Sequence, residues 1–388
     1  MPWNETHPVN ERLKFVAAAQ SGRLTMTELC ESFGISRKTG YKLLGRYDRD
    51  GLEGLRDRPR APHTHPNQTS AELEAAILRV RKAHTTWGSK KILAVLDRDH
   101  AVDELPSRST VDAVLSRAGV VRPRRGRARR QPSAPPVVAA HAPNDVWSID
   151  YKGWFRVGDG TRCDPLTIND AFSRVSLECR AMVAPKLEDV QHRLEAIFWT
   201  HGLPSFLLSD NGPPFGSNGL GRLSRLGVWL LRLGVQPIHI EPGRPDQNGR
   251  HERFHETLKA ETATPPRSSI RAQQAAFKRF QVQYNKERPH EALGMRVPSE
   301  LYKPSLRKMT WRLPEHEYPE GFELRRVRRD GTIKWAGAYA FVGEAFAGEC
   351  IGVKLGDDER AYVHLGPRKL GVLHERSRTV LPLNGADD

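Results

Sequence analysis

The feature that most constrains this chain is a stretch that no core can hold. Residues 122–143, RPRRGRARRQPSAPPVVAAHAP, contain six arginines by position 130, five prolines and no acid. Proline fixes φ and donates no backbone hydrogen bond, and unrelieved like charge extends a chain, so the segment reads as an extended linker. Its Arg122, Arg124, Arg125, Arg127, Arg129 and Arg130 are expected to track phosphates. Structure must form separately on either side of it, and 388 residues at roughly 150 per domain leave room for two to three domains.

The overall charge points to the same class of partner. Lys and Arg number 61 against 46 Asp and Glu, a net charge of +15 with a pI near 9.9, and a chain with that excess is expected to meet nucleic acid. Residues 144–262 are net −1, so a near-neutral centre lies between flanks that carry +16. No apolar run approaches the roughly 18 residues that cross a bilayer, so no membrane partner is expected. The opening MPWNETHPVNERLK lacks the basic-then-apolar pattern of a secretory signal, and Cys30, Cys163, Cys179 and Cys350 lie too far apart for a CxxC pair. A reducing, intracellular setting, the cytoplasm, is the expectation.

Residues 9–47 read as three short helices, with Thr25-x-x-Glu28 as a capping box, Gly34 at a tight turn and Ser36 capping the third helix. This is helix-turn-helix spacing: Leu29, Phe33, Ile35 and Leu44 would face inward, leaving Arg37, Lys38, Thr39 and Lys42 for a major groove. A second helical unit is expected from helices near 72–83, 88–96 and 106–118. Its last helix opens on SRSTVDAVL, which places Arg108 as a further DNA contact.

From residue 144 the pattern changes to strand-like runs, VWSIDYKGWFRV, CDPLTINDAF and RVSLECRAMV, expected as an antiparallel meander. A helix near 186–201, the strand SFLLSD, a helix near 219–233, the strand VQPIHI and a long helix over 246–260 follow. That order gives a mixed sheet with helices packed on it. It puts Asp150 inside the first strand and Asp210 at the end of the fourth, where ligands collect in such sheets. A half-buried strand aspartate needs a partner, and acidic residues gathered from separate elements bind Mg²⁺ through hard oxygen ligands. Two such ions can clamp the attacking and leaving oxygens of an in-line phosphoryl displacement.

WSIDYKGWF, NDAFSR, LSDNGPPF and PGRPDQNGRHERFHETLK, in this order, resemble the blocks of the retroviral-integrase superfamily, and specifically of bacterial insertion-sequence transposases with an aspartate, aspartate, glutamate triad. The resemblance covers residues 144–305, and the N-terminal helical units resemble those usually fused to it. It implies a ribonuclease-H-like fold, Asp150, Asp210 and Glu252 as metal-binding catalytic carboxylates, two Mg²⁺ ions with Mn²⁺ able to substitute, strand cleavage followed by strand transfer, and a homo-oligomer that brings transposon-end DNA to target DNA. Many relatives place 35 residues between the second aspartate and the glutamate, whereas 41 intervene here, and Asp246 falls at the shorter spacing. Six residues turn a helix by about 600°, so Asp246 and Glu252 point about 120° apart and cannot be the same ligand. The NGRHERFHETLK block selects Glu252, leaving Asp246 to start the helix.

Other residues have plainer expected roles. Asp170 is a turn residue between strands, Asn211 and Gly212 shape the loop after Asp210, Tyr284 is core, and Lys259, seven positions after Glu252, is a DNA contact. His251-Glu252-x-x-His255 is also the literal H-E-x-x-H zinc-peptidase pattern, a reading that leaves Asp150, Asp210 and the basic flanks unexplained. A non-catalytic helix-turn-helix regulator is the other alternative. Residues 306–383 alternate polar and apolar with glycine turns, expected as a small all-β barrel whose Arg325, Arg326, Arg328 and Arg329 could meet phosphates. The expected domains are 1–60 and 67–121, both helical and DNA-binding, the linker 122–143, the catalytic core 144–305, and the barrel 306–383.

Overall fold

The computed structural model describes residues 7–58, 68–101, 104–121, 137–374 and 376–383. Two compact units emerge, Met1–Thr69 and Ser70–Asp388. The arginines of the linker, Arg122, Arg124, Arg125, Arg127, Arg129 and Arg130, lie outside the described residues.

The first unit is a three-helix domain: α1 (Pro8–Gln20), α2 (Met26–Ser32) and α3 (Arg37–Asp50). The Thr25–Glu28 capping box starts α2, and the Ser36 hydroxyl accepts from the Thr39 amide at the start of α3. Phe15, Val16, Leu29, Cys30, Leu43 and Leu55 form the core, with Phe33, Ile35 and Leu44 packed against it. Gly40 lets α3 approach its neighbours, because a Cβ there would meet Cys30 Sγ at 2.7 Å and the Phe15 ring at 2.9 Å.

The second unit opens with α4 (Ala71–Ala83), α5 (Ser89–Arg98) and α6 (Arg108–Arg117), whose Ile77, Ile92, Leu96, Val111 and Leu115 share one small core. The central sheet follows: β1 (Val146–Tyr151), β2 (Phe155–Arg156), β3 (Arg162–Asp170), β4 (Ser176–Met182), α7 (Leu187–His201), β5 (Phe206–Ser209), α8 (Arg225–Arg232), β6 (Gln236–His239), α9 (Gly249–Thr262), α10 (Ile270–Lys286) and the short α11 (Pro298–Leu301). Strand order is β2-β3-β1-β5-β6, with β4 also on β3; β1 pairs antiparallel with β3 and parallel with β5. The expected mixed sheet is therefore present. Trp147, Ile149 and Leu166 face α7 and α8, while Cys163, Cys179 and Ala181 face α9 and α10.

Three element boundaries differ from the sequence reading. The run 146–157 is two strands, because Gly153 at φ +84° turns the chain after Tyr151. The helix near 219–233 is a turn at Leu220–Arg222 followed by α8, with Gly221 at φ +62° breaking it. The long helix does not begin at Asp246: a single 3₁₀ turn, Pro245–Asn248, precedes α9, and Asn248 occupies the cap position. Asp246 makes no cap because Arg244 Nε and Nη2 hold its carboxylate, each at 3.1 Å.

The C-terminal part contains β7 (Glu323–Arg326), β8 (Thr332–Trp335), β9 (Ala338–Phe341), β10 (Cys350–Leu355), β11 (Ala361–Leu365), β12 (Arg368–His374) and β13 (Thr379–Pro382). Their order, β7-β10-β11-β12-β13-β9-β8, returns to its starting hairpin as a nearly closed barrel, and Arg325 Nε donates to the Lys334 carbonyl across the remaining gap. Leu220, Leu223, Val228 and Leu231 of the catalytic sheet's periphery share the barrel's hydrophobic core, which docks the barrel on α8. The predicted phosphate-facing arginines are partly engaged: Arg326 donates to the Gly348 carbonyl, and Arg325 and Arg328 lie over Trp335 and Tyr339.

Candidate active site

Strand alternation decides which residues of β1 can do chemistry. Trp147 and Ile149 enter the α7–α8 core, so Ser148 and Asp150 emerge on the α9 face. In the parallel pairing with β5, Ser148 is opposite Leu208, which carries the register to Asp150 opposite Asp210 just past the end of β5. The two aspartates meet at the carboxyl end of adjacent parallel strands. Burial, and then the charge of Asp210, push the Asp150 carboxyl up to about 7.

Each aspartate is oriented by neighbours. Asn248 Nδ2 donates to Asp150 Oδ2 at 3.3 Å, and the Gly212 amide donates to Asp210 Oδ1 at 3.2 Å. A Cβ at Gly212 would sit 3.3 Å from Asp210 Oδ2, so the absent side chain leaves the carboxylate uncrowded. Asn211 points away from it, donating to the Ile240 carbonyl and accepting from Arg222. Lys152 bears on Asp150 from just past the end of β1, drawing its pKa down against the larger effect of burial.

Glu252 is exposed on the first turn of α9. It lies four residues beyond Asn248, hence on the same helix face and one turn above the residue that touches Asp150. Among the described residues, no group of three His, Cys, Asp or Glu side chains is assembled to hold a metal. Asp246, the alternative third ligand, faces Arg244 instead. Asp170 is the buried turn residue expected: it accepts from the Asn144 amide and from the Ser173 amide and hydroxyl. Tyr284 is core, edge-on to Phe254.

The H-E-x-x-H pattern has a structural explanation other than zinc. Thr167 is the antiparallel partner of Asp150, and its hydroxyl donates to the Asp150 carbonyl at 3.2 Å. The same oxygen lies 2.6 Å from His251 Nε2 and 2.7 Å from His255 Nε2. Thr167 Oγ1 therefore joins both rings, and His251 Nδ1 lies 2.8 Å from the Ser148 hydroxyl. Burial holds both rings neutral, pushing His251 down to about 3 and His255 to about 2. Both Nε2 atoms meet Thr167 between helix and sheet, and Glu252 is exposed on another face. The histidines instead clamp α9 to the strand that carries Asp150. The i,i+4 spacing foretold that both rings share a face, but Thr167 lies too far away in sequence to be foretold.

The predicted DNA contacts Arg37, Lys38, Thr39 and Lys42 are all exposed on α3. Arg108 is exposed at the start of α6, 3.7 Å from Asp112, and Lys259 is exposed on α9. Lys152 and Asn248 are the site residues that sequence reasoning missed; the i,i+4 spacing of Asn248 and Glu252 at a helix start was the available signal.

The integrase core domain family matches residues 140–245 and again 233–298. A helix-turn-helix domain family matches residues 11–63, and a homeodomain-like domain family matches 39–115. An uncharacterized 31.7 kDa protein of insertion element IS407 from Burkholderia multivorans is 26% identical over 239 residues, 61% of this chain and 82% of that one. The transposase InsD of insertion element IS2 from Escherichia coli is 26% identical over 284 residues, 69% of this chain and 87% of that one. Similar solved structures include the HTLV-2 integrase catalytic core domain in complex with magnesium (TM-score 0.33, 15% identity, 42% of this chain and 100% of that one). The simian T-cell lymphotropic virus intasome is another (TM-score 0.37, 15% identity, 77% of this chain and 99% of that one). Carrying an integrase core behind helix-turn-helix domains, the chain is similar to insertion-element proteins, a transposase among them, over most of their length.

Proposed function

We propose that Asp150, Asp210 and Glu252 hold two Mg²⁺ ions, replaceable by Mn²⁺, and that this site cuts the ends of a mobile DNA element and joins them to target DNA. The observation that supports this reading is the β1–β5 register, which brings two carboxylates together at the ends of adjacent strands. Integrase-type cores work with a divalent metal ion. The residues present suit one: the donors are hard carboxylate oxygens, and Asp150 is driven toward its protonated form by burial and by Asp210, both of which a divalent cation would reverse. Bound there, the ions would stabilise the charge that builds on the attacking and leaving oxygens of an in-line phosphoryl displacement.

The chain's own groups prepare the site. The Asn248 amide fixes the rotamer of Asp150, the Gly212 amide fixes that of Asp210, and the His251–Thr167–His255 clamp holds the helix that delivers Glu252. Glu252, exposed one turn beyond Asn248 on α9, would supply the third carboxylate. Water is the attacking group for end cleavage, and the freed 3′-hydroxyl is the attacking group for joining, so no covalent protein intermediate is required.

Recognition is assigned to the flanks. Arg37, Lys38, Thr39 and Lys42 read a major groove, Arg108 supports them from the second helical unit, and Lys259 contacts the strand beside the carboxylates. The arginines of 122–130 neutralise phosphates along the linker. The working division is 1–60, 67–121, 122–143, 144–305 and 306–383. A homo-oligomer brings two element ends to one target. The testing experiment is a cleavage assay on DNA carrying the element's terminal repeats: Mg²⁺ or Mn²⁺ supports nicking at the ends, and nicking that persists in excess chelator overturns the proposal.

A further inference from the structure

A cation-rich cavity lies beside the carboxylate site. It lies between α5 and the α9–α10 side of the core, encloses about 340 Å³, and is lined by Lys91, Arg174, Arg250, Arg253 and Arg288 against only two acids, Asp170 and Glu291. Both acids are occupied elsewhere: Asp170 by the turn at Asn144 and Ser173, Glu291 by Lys90. Among the cations, Arg288 has its own partner, Glu261, at 2.7 Å. Lys91 and Arg174 have no ion pair among the described residues, and Arg174 Nε is buried without a hydrogen-bond partner.

The walls are built, not incidental. Thr86 donates to Glu261 at 2.6 Å, Arg98 donates to the Glu287 carbonyl at 3.3 Å, and Lys90 pairs with Glu291, so the helical unit is tied to α9, α10 and the segment after it on the cavity's rim. Arg174 reaches in from the β3–β4 turn at φ +67°. Cations drawn from four separate elements repel one another in a partly desolvated space; Lys91 is lowered to about 8, mainly by burial and then by Arg288 with Glu261 and Glu291 opposing, and Arg174 to about 10, by burial and then by Arg250 with Tyr284 and Asp170 opposing. Such crowding costs stability unless an anion enters. The lining also includes Asn248, which touches Asp150, so the cavity opens onto the catalytic face.

We infer that this cavity is a phosphate site, in which Lys91 and Arg174 grip a backbone phosphate of DNA as it passes from the helical unit to the carboxylates. The inference rests on the transposase reading for the identity of the polyanion, while the anion site itself stands on the cavity. A phosphodiester offers acceptor oxygens to the Arg174 fork and to the Lys91 ammonium, and it cancels the repulsion that the empty cluster carries.

Three measurements on the full chain test it, using Lys91→Met and Arg174→Met. First, both variants melt higher than wild type in low-salt buffer, since each removes an uncompensated cation. Second, inorganic phosphate raises the melting temperature of wild type above that in chloride of equal ionic strength, and the variants lose that increment. Third, in binding to duplex DNA each variant's slope of log Kobs against log salt becomes shallower by roughly 0.9, one phosphate contact. Phosphate stabilisation with an unchanged DNA slope overturns the backbone assignment and leaves a free-anion site. Variants that melt lower than wild type and keep the phosphate increment overturn the site altogether. None of these measurements reads strand cleavage, so an inactive element end would refute the transposase reading without touching this one.

Discussion

Replacing Asp150 by Asn should stabilise the metal-free protein while abolishing its response to Mg²⁺. The carboxyl rises from 3.8 to about 7 on folding, through burial first and the charge of Asp210 second. Between those two pH values the folded protein holds a proton that the unfolded chain has released, so stability falls as pH rises through the window and is level above it. Roughly three pH units at 1.36 kcal/mol each set an upper bound of about 4 kcal/mol, and solvent reaching this half-buried site reduces it to about 2–4 kcal/mol. At roughly 2–4 °C per kcal/mol, Asp150→Asn should melt on the order of 8 °C above wild type at pH 8 in EDTA, and nearly level with it at pH 4. The two neutral histidines titrate in the opposite sense, losing stability as pH falls, but they are common to both chains and cancel in the difference. Mg²⁺ should raise the melting temperature of wild type and leave the variant unmoved. A variant that melts below wild type at pH 8, or a gap that does not close toward pH 4, would refute the reasoning that Asp150 is an unrelieved carboxylate.

Other perturbations have equally definite outcomes. Thr167→Val takes the hydroxyl partner from two buried imidazoles, so chemical denaturation should register a loss of about 2–3 kcal/mol, and added Zn²⁺ should restore nothing. Gly40→Ala forces a Cβ against Cys30 and Phe15 and should destabilise the first unit by about 1–3 kcal/mol, read by hydrogen exchange of α1–α3. Changing Arg37, Lys38 and Lys42 together to Ala should lower affinity for the element's ends more than for random duplex in a competition assay. Equal losses on both would move recognition elsewhere.

The legible parts of the fold were those with local causes. The capping box at Thr25 and the cap at Ser36 announce their helices within four residues, and both are present. Asp150 and Asp210 stood out because a charged residue in or beside an apolar strand is conspicuous on its own. What sequence did not disclose depends on partners far apart. The break after Tyr151 hangs on one glycine, and Asp246 was drawn off its expected cap by Arg244, two residues away but on a turn rather than a helix. Thr167 gives His251 and His255 their meaning, and it lies 84 residues before the first of them. Lys91, Arg174 and Arg253 read singly as solvated charges; only the assembled second unit turns them toward one space.

The central claim is that three carboxylates, and not a neighbouring one, perform the strand chemistry. Strand cleavage and joining should be measured on end-repeat DNA in Mg²⁺ for Asp150→Asn, Asp210→Asn, Glu252→Gln and Asp246→Asn, with end binding measured beside them. The first three should bind normally and lose cleavage by orders of magnitude, while Asp246→Asn stays near wild type because its carboxylate is held by Arg244. Glu252→Gln remaining competent while Asp246→Asn is dead would contradict the assignment, and cleavage that survives all four changes would contradict the account itself.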